Sequence, residues 1–499
     1  MATETKDLLP QPGETCWRIE QAGRAAVIID AEDYFRIARA AMLAAEKRIM
    51  LIGWDFDARI RLGPPDEANG APEKVGEFIS WLVERKPEVE VYLLRWDLGA
   101  LKVLFRGTTI LRFLRWMWHK RIHTKLDRVH PTGASHHQKI VVIDDCFAFC
   151  GGIDMTDERW DTCGHLDDDP QRRGATGKPY KPWHDATTAL EGPVAAALGE
   201  HGRARWKAAG GKELRPVAGI RATWPDELAA PFRNVAVAIS RSAPEMPGCP
   251  AITEIERLYL DQIAHARRFI YAESQYFASR KIALAIAQRL DEPDPPEIVI
   301  VNPLSAQGWL EPIAMDSARA RLMQALNGRD VHKRLRMYHP FTAGGAPIYV
   351  HAKILIVDDI LIRIGSSNMN NRSLRLDTEC DVTIDARLPG NGGAEAQIER
   401  IRAGLLGEHL ACDPARVSET LAETGSLIAT IERLRGPGKT LRPYEVPDLS
   451  KVTEWLADNE VLDPEGPDEM FEATSRRGLF RGLHRPAWMH RRRKAPAAA

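Results

Sequence analysis

Two short stretches of this chain carry a histidine and a lysine two residues apart, His137-Gln138-Lys139 and His351-Ala352-Lys353. Histidine has an ordinary pKa of about 6.5, so within a pair one imidazole can attack or accept a proton while the other, protonated, gives one up. A lysine beside each supplies positive charge for an anionic group. In both copies an apolar run of four follows, closed by an Asp (Asp144 and Asp358), and a Gly stands seven residues further on (Gly151 and Gly365). Alternate side chains of a strand share a face, so His and Lys of each copy point the same way, ahead of an apolar run that enters a sheet.

These two HxKxxxxD patterns, followed by Gly151-Gly152-Ile153-Asp154 and Gly365-Ser366-Ser367-Asn368, resemble the phospholipase D superfamily in its two-motif form. Ser135-His136-His137-Gln138-Lys139 and Trp183-His184-Asp185 are similar to the phospholipid-cleaving branch that includes the eukaryotic enzymes. The resemblance covers roughly residues 30 to 390.

A phosphodiester resists hydrolysis because its anionic oxygens repel nucleophiles and its alkoxide leaving group is poor. On the resemblance, Lys139 and Lys353 set positive charge against the non-bridging oxygens. His137 is then the nucleophile that forms a covalent phosphoenzyme, and His351 the acid that protonates the departing alcohol and later the base that activates water or another alcohol. The two copies by themselves permit the reverse assignment. Each imidazole needs an acceptor on its other nitrogen, and the matching candidates are Asp185 and Glu379.

Ser366 and Asn368 are positioned by the resemblance to donate hydrogen bonds to phosphate; their first-copy counterparts are Gly152 and Asp154, and an ionised Asp154 only accepts. Asp144 and Asp358 count among the site residues by signature, while their place at the end of an apolar strand favours anchoring backbone or a cation over direct chemistry. The glycines have a simple role as turn residues. No HExxH pattern, zinc-type cysteine spacing or EF-hand loop occurs, so neither metal nor cofactor is expected at the site; Asp167-Asp168-Asp169 reads as a solvated loop.

Helical spacing over 31–47, a buried strand over 48–56, a helix over 75–84 and a strand over 89–96 open the chain. A helix over 252–267 and strands over 268–277 and 297–302 answer them ahead of the second motif. The expected fold class is therefore α/β: two similar lobes from an internal duplication, with the site at the lobe interface. The boundaries read as a leader over 1–28, an N-terminal lobe over 29–215, a connection over 216–250 and a C-terminal lobe over 251–388, then a helical appendage over 389–475 and a basic tail over 476–499. Helices are expected over 394–406 and 414–434. Residues 111–128 interleave six basic side chains with Phe113, Trp116 and Trp118, which reads either as a helix packed by its aromatic side or as a membrane-facing lip.

The chain has 499 residues, enough for more than one core, and a formal net charge of -1, so no global attraction to nucleic acid or anionic membrane exists. The tail, with Arg491-Arg492-Arg493-Lys494 beside Phe480 and Trp488, reads as a local anionic-membrane contact or as a solvated segment. Seven cysteines without metal spacing, no secretory signal and no apolar run of about 18 residues suit a cytoplasmic or peripheral-membrane protein, with signal-less secretion as the alternative. The expected partner is a phospholipid at a membrane surface. Both motifs lie in one chain, so a monomer is expected to suffice. The rival readings are a cardiolipin-synthase-like phosphatidyltransferase, a nuclease or other phosphodiesterase of the superfamily, and a catalytically silent membrane scaffold; intact His and Lys in both motifs argue against the last.

Overall fold

The computed structural model describes residues 9–64, 70–96, 112, 115–307 and 311–447, so the basic tail and the end of the segment read as an appendage lie outside the described residues. The first half runs β1 (Arg18–Ile29), α1 (Ala31–Ala44), β2 (Arg48–Gly53), α2 (Val75–Arg85), β3 (Glu90–Trp96), β4 (Ile122–Asp127), β5 (Ile140–Ile143), β6 (Phe147–Gly151), β7 (Trp183–His184), β8 (Ala186–Glu191) and α3 (Pro193–Ala208). The second half begins with β9 (Phe232–Ala243), β10 (Ile252–Thr253), α4 (Glu254–His265), β11 (Phe269–Glu273), α5 (Arg280–Leu290), β12 (Glu297–Val301), α6 (Glu311–Asn327) and β13 (Leu335–Phe341). It ends with β14 (Tyr349–Val350), β15 (Ile354–Val357), β16 (Leu361–Gly365), β17 (Glu379–Asp385), α7 (Ala394–Leu410), α8 (Pro414–Thr424), α9 (Leu427–Leu434) and β18 (Thr440–Pro443).

One sheet carries both halves. Outward from the antiparallel β1–β9 pair the order is β8-β6-β5-β2-β3-β4 on one side and β17-β16-β15-β11-β12-β13 on the other, with β18 added at the far edge. Strand directions match as well: β2, β3 and β4 are parallel, as are β11, β12 and β13, and the remaining neighbours in both series are antiparallel. The fold is thus α/β with the same strand order on either side of one junction.

The apolar runs that follow the two motifs are β5 and β15, buried at every position because helices cover both faces of the sheet. On one face α3 and α7–α9 pack Leu198, Trp206, Ile398, Leu405, Val417 and Ile431 into a core continuous with β1 and β9. On the other, α1 and α2 cover the first half, and α4, α5 and α6 the second. The described part of the segment read as an appendage, residues 389–447, is therefore part of the core: α7, α8 and α9 bury a stripe of apolar residues, and β18 pairs with β13.

Two sequence-derived elements are corrected. The helix expected over 414–434 is two helices, because Gly425 takes φ 64° and ends α8 while the Ser426 hydroxyl caps α9 by accepting from Ala429 N at 3.0 Å. Within 111–128, residues 122–127 form β4 beside β3; Trp116 is buried with Nε1 donating to Ser80 at 3.0 Å, whereas Trp118 is 89% exposed. All seven cysteines are free, with Cys150 buried and Cys146 half-buried.

Asp144 and Asp358 each sit in the left-handed region, φ 51° and 56°, in the tight turns after β5 and β15. The Asp144 carboxylate accepts from the backbone N–H of Glu46, Lys47 and Arg48 at 2.6, 2.8 and 2.6 Å. Asp358 accepts from Arg267, Arg268 and Phe269 at 2.7, 2.8 and 2.8 Å. Their place among the site residues is therefore corrected: they pin the start of β2 and β11, and among the described residues their hydrogen bonds reach no motif histidine or lysine. Asp358→Ala is expected to destabilise the chain by about 3 kcal/mol, since it orphans three donors held by a charged acceptor. The midpoint of urea unfolding checks this, and an unchanged midpoint contradicts the anchoring role.

Candidate active site

Each motif histidine stands on an extended segment just before its buried strand, and each segment crosses to the other half. His137 N donates to Thr378 O at 3.0 Å, and Thr378 N to Ser135 O at 3.0 Å. Likewise β14 runs parallel to β7, and His351 N donates to His184 O at 2.7 Å. This pairing sets His137 beside Glu379 and His351 beside Asp185. His137 Nδ1 lies 2.9 and 3.0 Å from the two Glu379 oxygens, and His351 Nδ1 lies 2.6 Å from Asp185 Oδ2. Each imidazole is held at Nδ1 by a carboxylate from the opposite half.

The lysines lie under the histidines. Lys139 Nζ donates to His137 O at 2.6 Å and stands 3.2 Å from Asp154 Oδ2; Lys353 Nζ donates to His351 O and to Gln275 Oε1, the latter at 3.4 Å. The two halves therefore differ in charge, one ammonium facing a carboxylate and the other an amide. Asp154 Oδ1 also accepts from Trp54 N at 3.0 Å, so Asp154 is a lysine partner. Asn368, its counterpart, donates Nδ2 to Gln275 Oε1 at 3.4 Å and keeps a buried Oδ1.

Ser366 is corrected as a phosphate donor: its hydroxyl, fully buried, donates to Glu379 Oε2 at 2.5 Å and accepts from Cys380 N at 3.1 Å. It orients the carboxylate that orients His137. Gln138 adds to this by donating Nε2 to Glu379 O at 3.0 Å. Two tryptophans wall the site: Trp54 meets His137 edge-on at 6.3 Å, and the Trp183 ring lies 5.1 Å from His351. Gln138 and Trp183 stand in the stretches around His137 and Asp185 that carry the resemblance, whereas Gln275 and Trp54 lie outside both motifs and carry no spacing that marks them.

The motif glycines serve close approach. A Cβ on Gly151 would lie 2.3 Å from Thr187 Cα, one on Gly365 2.5 Å from Asp381 Cα, and one on Gly152 2.3 Å from Asp185 Oδ1. Neither Gly151 nor Gly365 has a positive φ, so their turn role is replaced by tight strand packing.

Burial depresses both imidazoles well below their ordinary pKa, and the lysines push the same way. Burial would raise Asp185, but His351 and Lys353 hold it down at about 2, so it is ionised and accepts Nδ1–H of His351. Burial raises Glu379 to about 8 against the pull of Lys139, leaving one proton between Glu379 and His137 at neutral pH. Burial lowers Lys353 to about 7, with Lys139 adding to the effect and Asp185 opposing it. An ammonium is needed to hold an anion, so kcat/KM is expected to fall as pH rises through about 7 in the free enzyme. Lys353→Arg, whose guanidinium stays charged, should carry that falling limb upward by more than about one pH unit, at a reduced rate. A limb that stays in place contradicts its assignment to Lys353.

Chemically, two oriented imidazoles flanked by two ammonium groups can attack a tetrahedral anion from one side and protonate a leaving group on the other. A phospholipase D family model matches residues 329–435, a stretch that holds the second motif and α7–α9. Phospholipase D alpha 1 of Nicotiana tabacum is 26% identical, the match covering 55% of this chain and 49% of that one. Phospholipase D alpha 4 of Arabidopsis thaliana is 24% identical over 88% of this chain and 71% of that one. The chain thus spans about half the length of phospholipase D alpha 1. Among solved structures, the phosphatidylserine synthase of Haemophilus influenzae shares the fold, with a TM-score of 0.52 and 12% identity over 89% of this chain and 95% of that one. No helix among the described residues is long and apolar enough to cross a membrane. The doubled motif, the family model over residues 329–435 and the matches to phospholipases D alpha together support a place for this chain in the phospholipase D superfamily.

Proposed function

We propose that this chain is a phospholipase D that cleaves the distal phosphodiester of glycerophospholipids through a covalent phosphohistidine. The observation that carries the reading is the pair of crossed histidine–carboxylate contacts, each with a lysine two residues on. In the first step His137 Nε2 forms a bond to phosphorus, the bond to the headgroup oxygen breaks, and His351 gives that oxygen a proton. In the second, His351 takes a proton from water, the water oxygen bonds to phosphorus, and the N–P bond breaks to release phosphatidate. An alcohol in place of water gives a phosphatidyl transfer from the same intermediate. With phosphatidylcholine the products are phosphatidate and choline. The negative phosphate raises the proton affinity of the groups around it, which restores a proton to His351 and to Lys353 when substrate binds.

Both imidazoles and both carboxylates come from one chain, so a monomer suffices on this reading. Trp118 and Met117, 89% and 67% exposed beside basic residues, offer an interfacial contact. The basic tail would add about 1 kcal/mol per Lys or Arg near an anionic leaflet.

Turnover of mixed phospholipid vesicles with and without ethanol tests the proposal. Phosphatidate without ethanol and phosphatidylethanol with it are expected, both lost in His137→Asn. Failure to release any headgroup, alongside cleavage of a nucleic-acid phosphodiester, would sink it.

A further inference from the structure

Behind the site, on the far side of Asp185 from His351, two more buried histidines meet two carboxylates. His184 Nδ1 lies 2.8 Å from Glu408 Oε1 and 3.2 Å from Asp30 Oδ1; His165 Nε2 lies 2.9 Å from the same Glu408 oxygen and 3.5 Å from Asp30 Oδ2. One donor atom from each of these four residues lies within 4.8 Å of all the others. Such separations bracket the ligand–ligand edge of about 3.4 Å in a tetrahedron with bonds of about 2.1 Å, the length zinc makes to imidazole and carboxylate. We propose that Asp30, His165, His184 and Glu408 bind a divalent transition-metal ion, zinc by preference, as a structural site separate from the phosphate chemistry.

Three features of the molecule point the same way. The first is orientation from behind. His165 is held on its other nitrogen by Asp161 at 3.0 Å, and His184 by Glu273 at 2.7 Å. Metal-bound imidazoles commonly give their second nitrogen to a carboxylate, which fixes the tautomer and raises ligand basicity. Glu273 is itself held by Tyr271 at 2.5 Å and by His409 at 3.1 Å, and Asp161 by Arg172 at 3.2 Å.

The second is what the ligand atoms lack. Asp30 Oδ2 and His184 Nδ1 are buried yet make no well-aligned hydrogen bond, although carboxylate and imidazole lie in reach of each other. Asp30 occupies the N-cap position of α1, but its side chain caps no helix N–H, and its backbone takes a strained φ of 63°. Asp30 spends its backbone N–H and Oδ1 on the Asp185 backbone, which leaves Oδ2 to face the cluster.

The third is charge. Four carboxylates with side chains at most 7% exposed, Asp30, Asp161, Glu273 and Glu408, face one guanidinium, Arg172, with the Cys163 thiol, His409 and Tyr271 as the remaining titratable neighbours. The enclosure therefore demands positive charge at the point where the four ligand atoms converge. A dication there supplies it with the imidazoles neutral.

The ligands come from four segments: the start of α1, the loop after β6, β7 and α7. Binding would lock these together around the backbone of Asp185, whose N–H donates to Asp30 Oδ1 at 3.1 Å and whose carbonyl accepts from Asp30 N at 2.8 Å. The ion would thus position Asp185, and through it His351, without touching substrate.

The test is metal analysis of the intact chain, purified without chelator, incubated with zinc sulfate and passed through a desalting column. About one zinc per chain is expected, together with a rise of several degrees in Tm on zinc addition to stripped protein. Glu408→Gln and His165→Gln should each lose the zinc and the Tm response, while His351→Asn, outside the cluster, should keep both. Cobalt loaded into stripped wild type should give the intense visible absorption of tetrahedral coordination, which needs no variant to fold. Wild type that retains no zinc and gives only weak octahedral cobalt absorption would overturn the proposal and leave the cluster as a proton-sharing ion network. Zinc retained at full stoichiometry in both cluster variants would overturn it too, by placing the ion elsewhere. Neither outcome bears on headgroup release from vesicles, so the two proposals fail separately.

Discussion

His137→Asn is expected to lower turnover of any phosphodiester substrate by about 10⁴-fold or more, the scale seen when a residue that forms a covalent intermediate is removed from a cooperating set. His351→Asn should fall as far on a substrate with an alkyl leaving group, whose alkoxide needs a proton. The two variants part on an activated ester such as a phosphatidyl p-nitrophenol. There the leaving group departs unaided, so His351→Asn should release a rapid burst of p-nitrophenol near one equivalent per chain and then stall, because no base remains to activate water. His137→Asn should show no burst. The measurement is stopped-flow absorbance together with intact mass of the stalled chain. The opposite pattern, a burst in His137→Asn alone, would reverse the roles of the two histidines, which the sequence symmetry by itself leaves open.

Asp185→Asn is expected to cost about 10³-fold in kcat, since an amide can turn its N–H toward His351 Nδ1 and leave the wrong tautomer at Nε2. Glu379→Gln should also lose activity, because the cationic phosphohistidine that forms at His137 would face no carboxylate. The crossed geometry makes a sharper statement than either loss. In double-mutant cycles, Asp185 should couple to His351 and Glu379 to His137, so that Asp185→Asn in a His351→Asn background costs almost nothing further. Coupling of Asp185 to His137 instead would contradict the contacts of 2.6 Å and 2.9 Å that join the crossed pairs. Circular dichroism of each variant separates loss of chemistry from loss of fold.

Much of the site is legible in the sequence, for local reasons. His and Lys two apart, followed by four apolar residues and an Asp, describe a strand whose polar end faces a site and whose apolar body is buried; both copies fold that way. The anchoring alternative for Asp144 and Asp358 is legible too, because a carboxylate just past a buried strand meets the N–H groups of its neighbour. Asp185 and Glu379 can be picked as orienting groups from the resemblance, but nothing in their spacing says which histidine each serves.

Other readings fail where long-range packing overrides local pattern. Ser366 matches a phosphate-binding position, yet its hydroxyl is spent on Glu379, a partner 13 residues on that only strand pairing brings near. Residues 389–475 read as an appendage because the Pro- and Gly-rich joint at 389–393 breaks the pattern of the lobes, while the buried stripe of α7 closes the core and delivers Glu408 and His409 to the interior.

The sequence alone determined the α/β class, the two buried strands that follow the motifs and the residue types of the candidate site, because these depend on periodicities of two to four residues. Tertiary structure decided which half supplies each orienting carboxylate, which lysine keeps an acidic partner, and that Asp30, His165, His184 and Glu408 converge. Those facts depend on the β7–β14 pairing, the contacts of 135–137 with 378, and the packing of α7, contacts between residues far apart in the chain that no local spacing encodes.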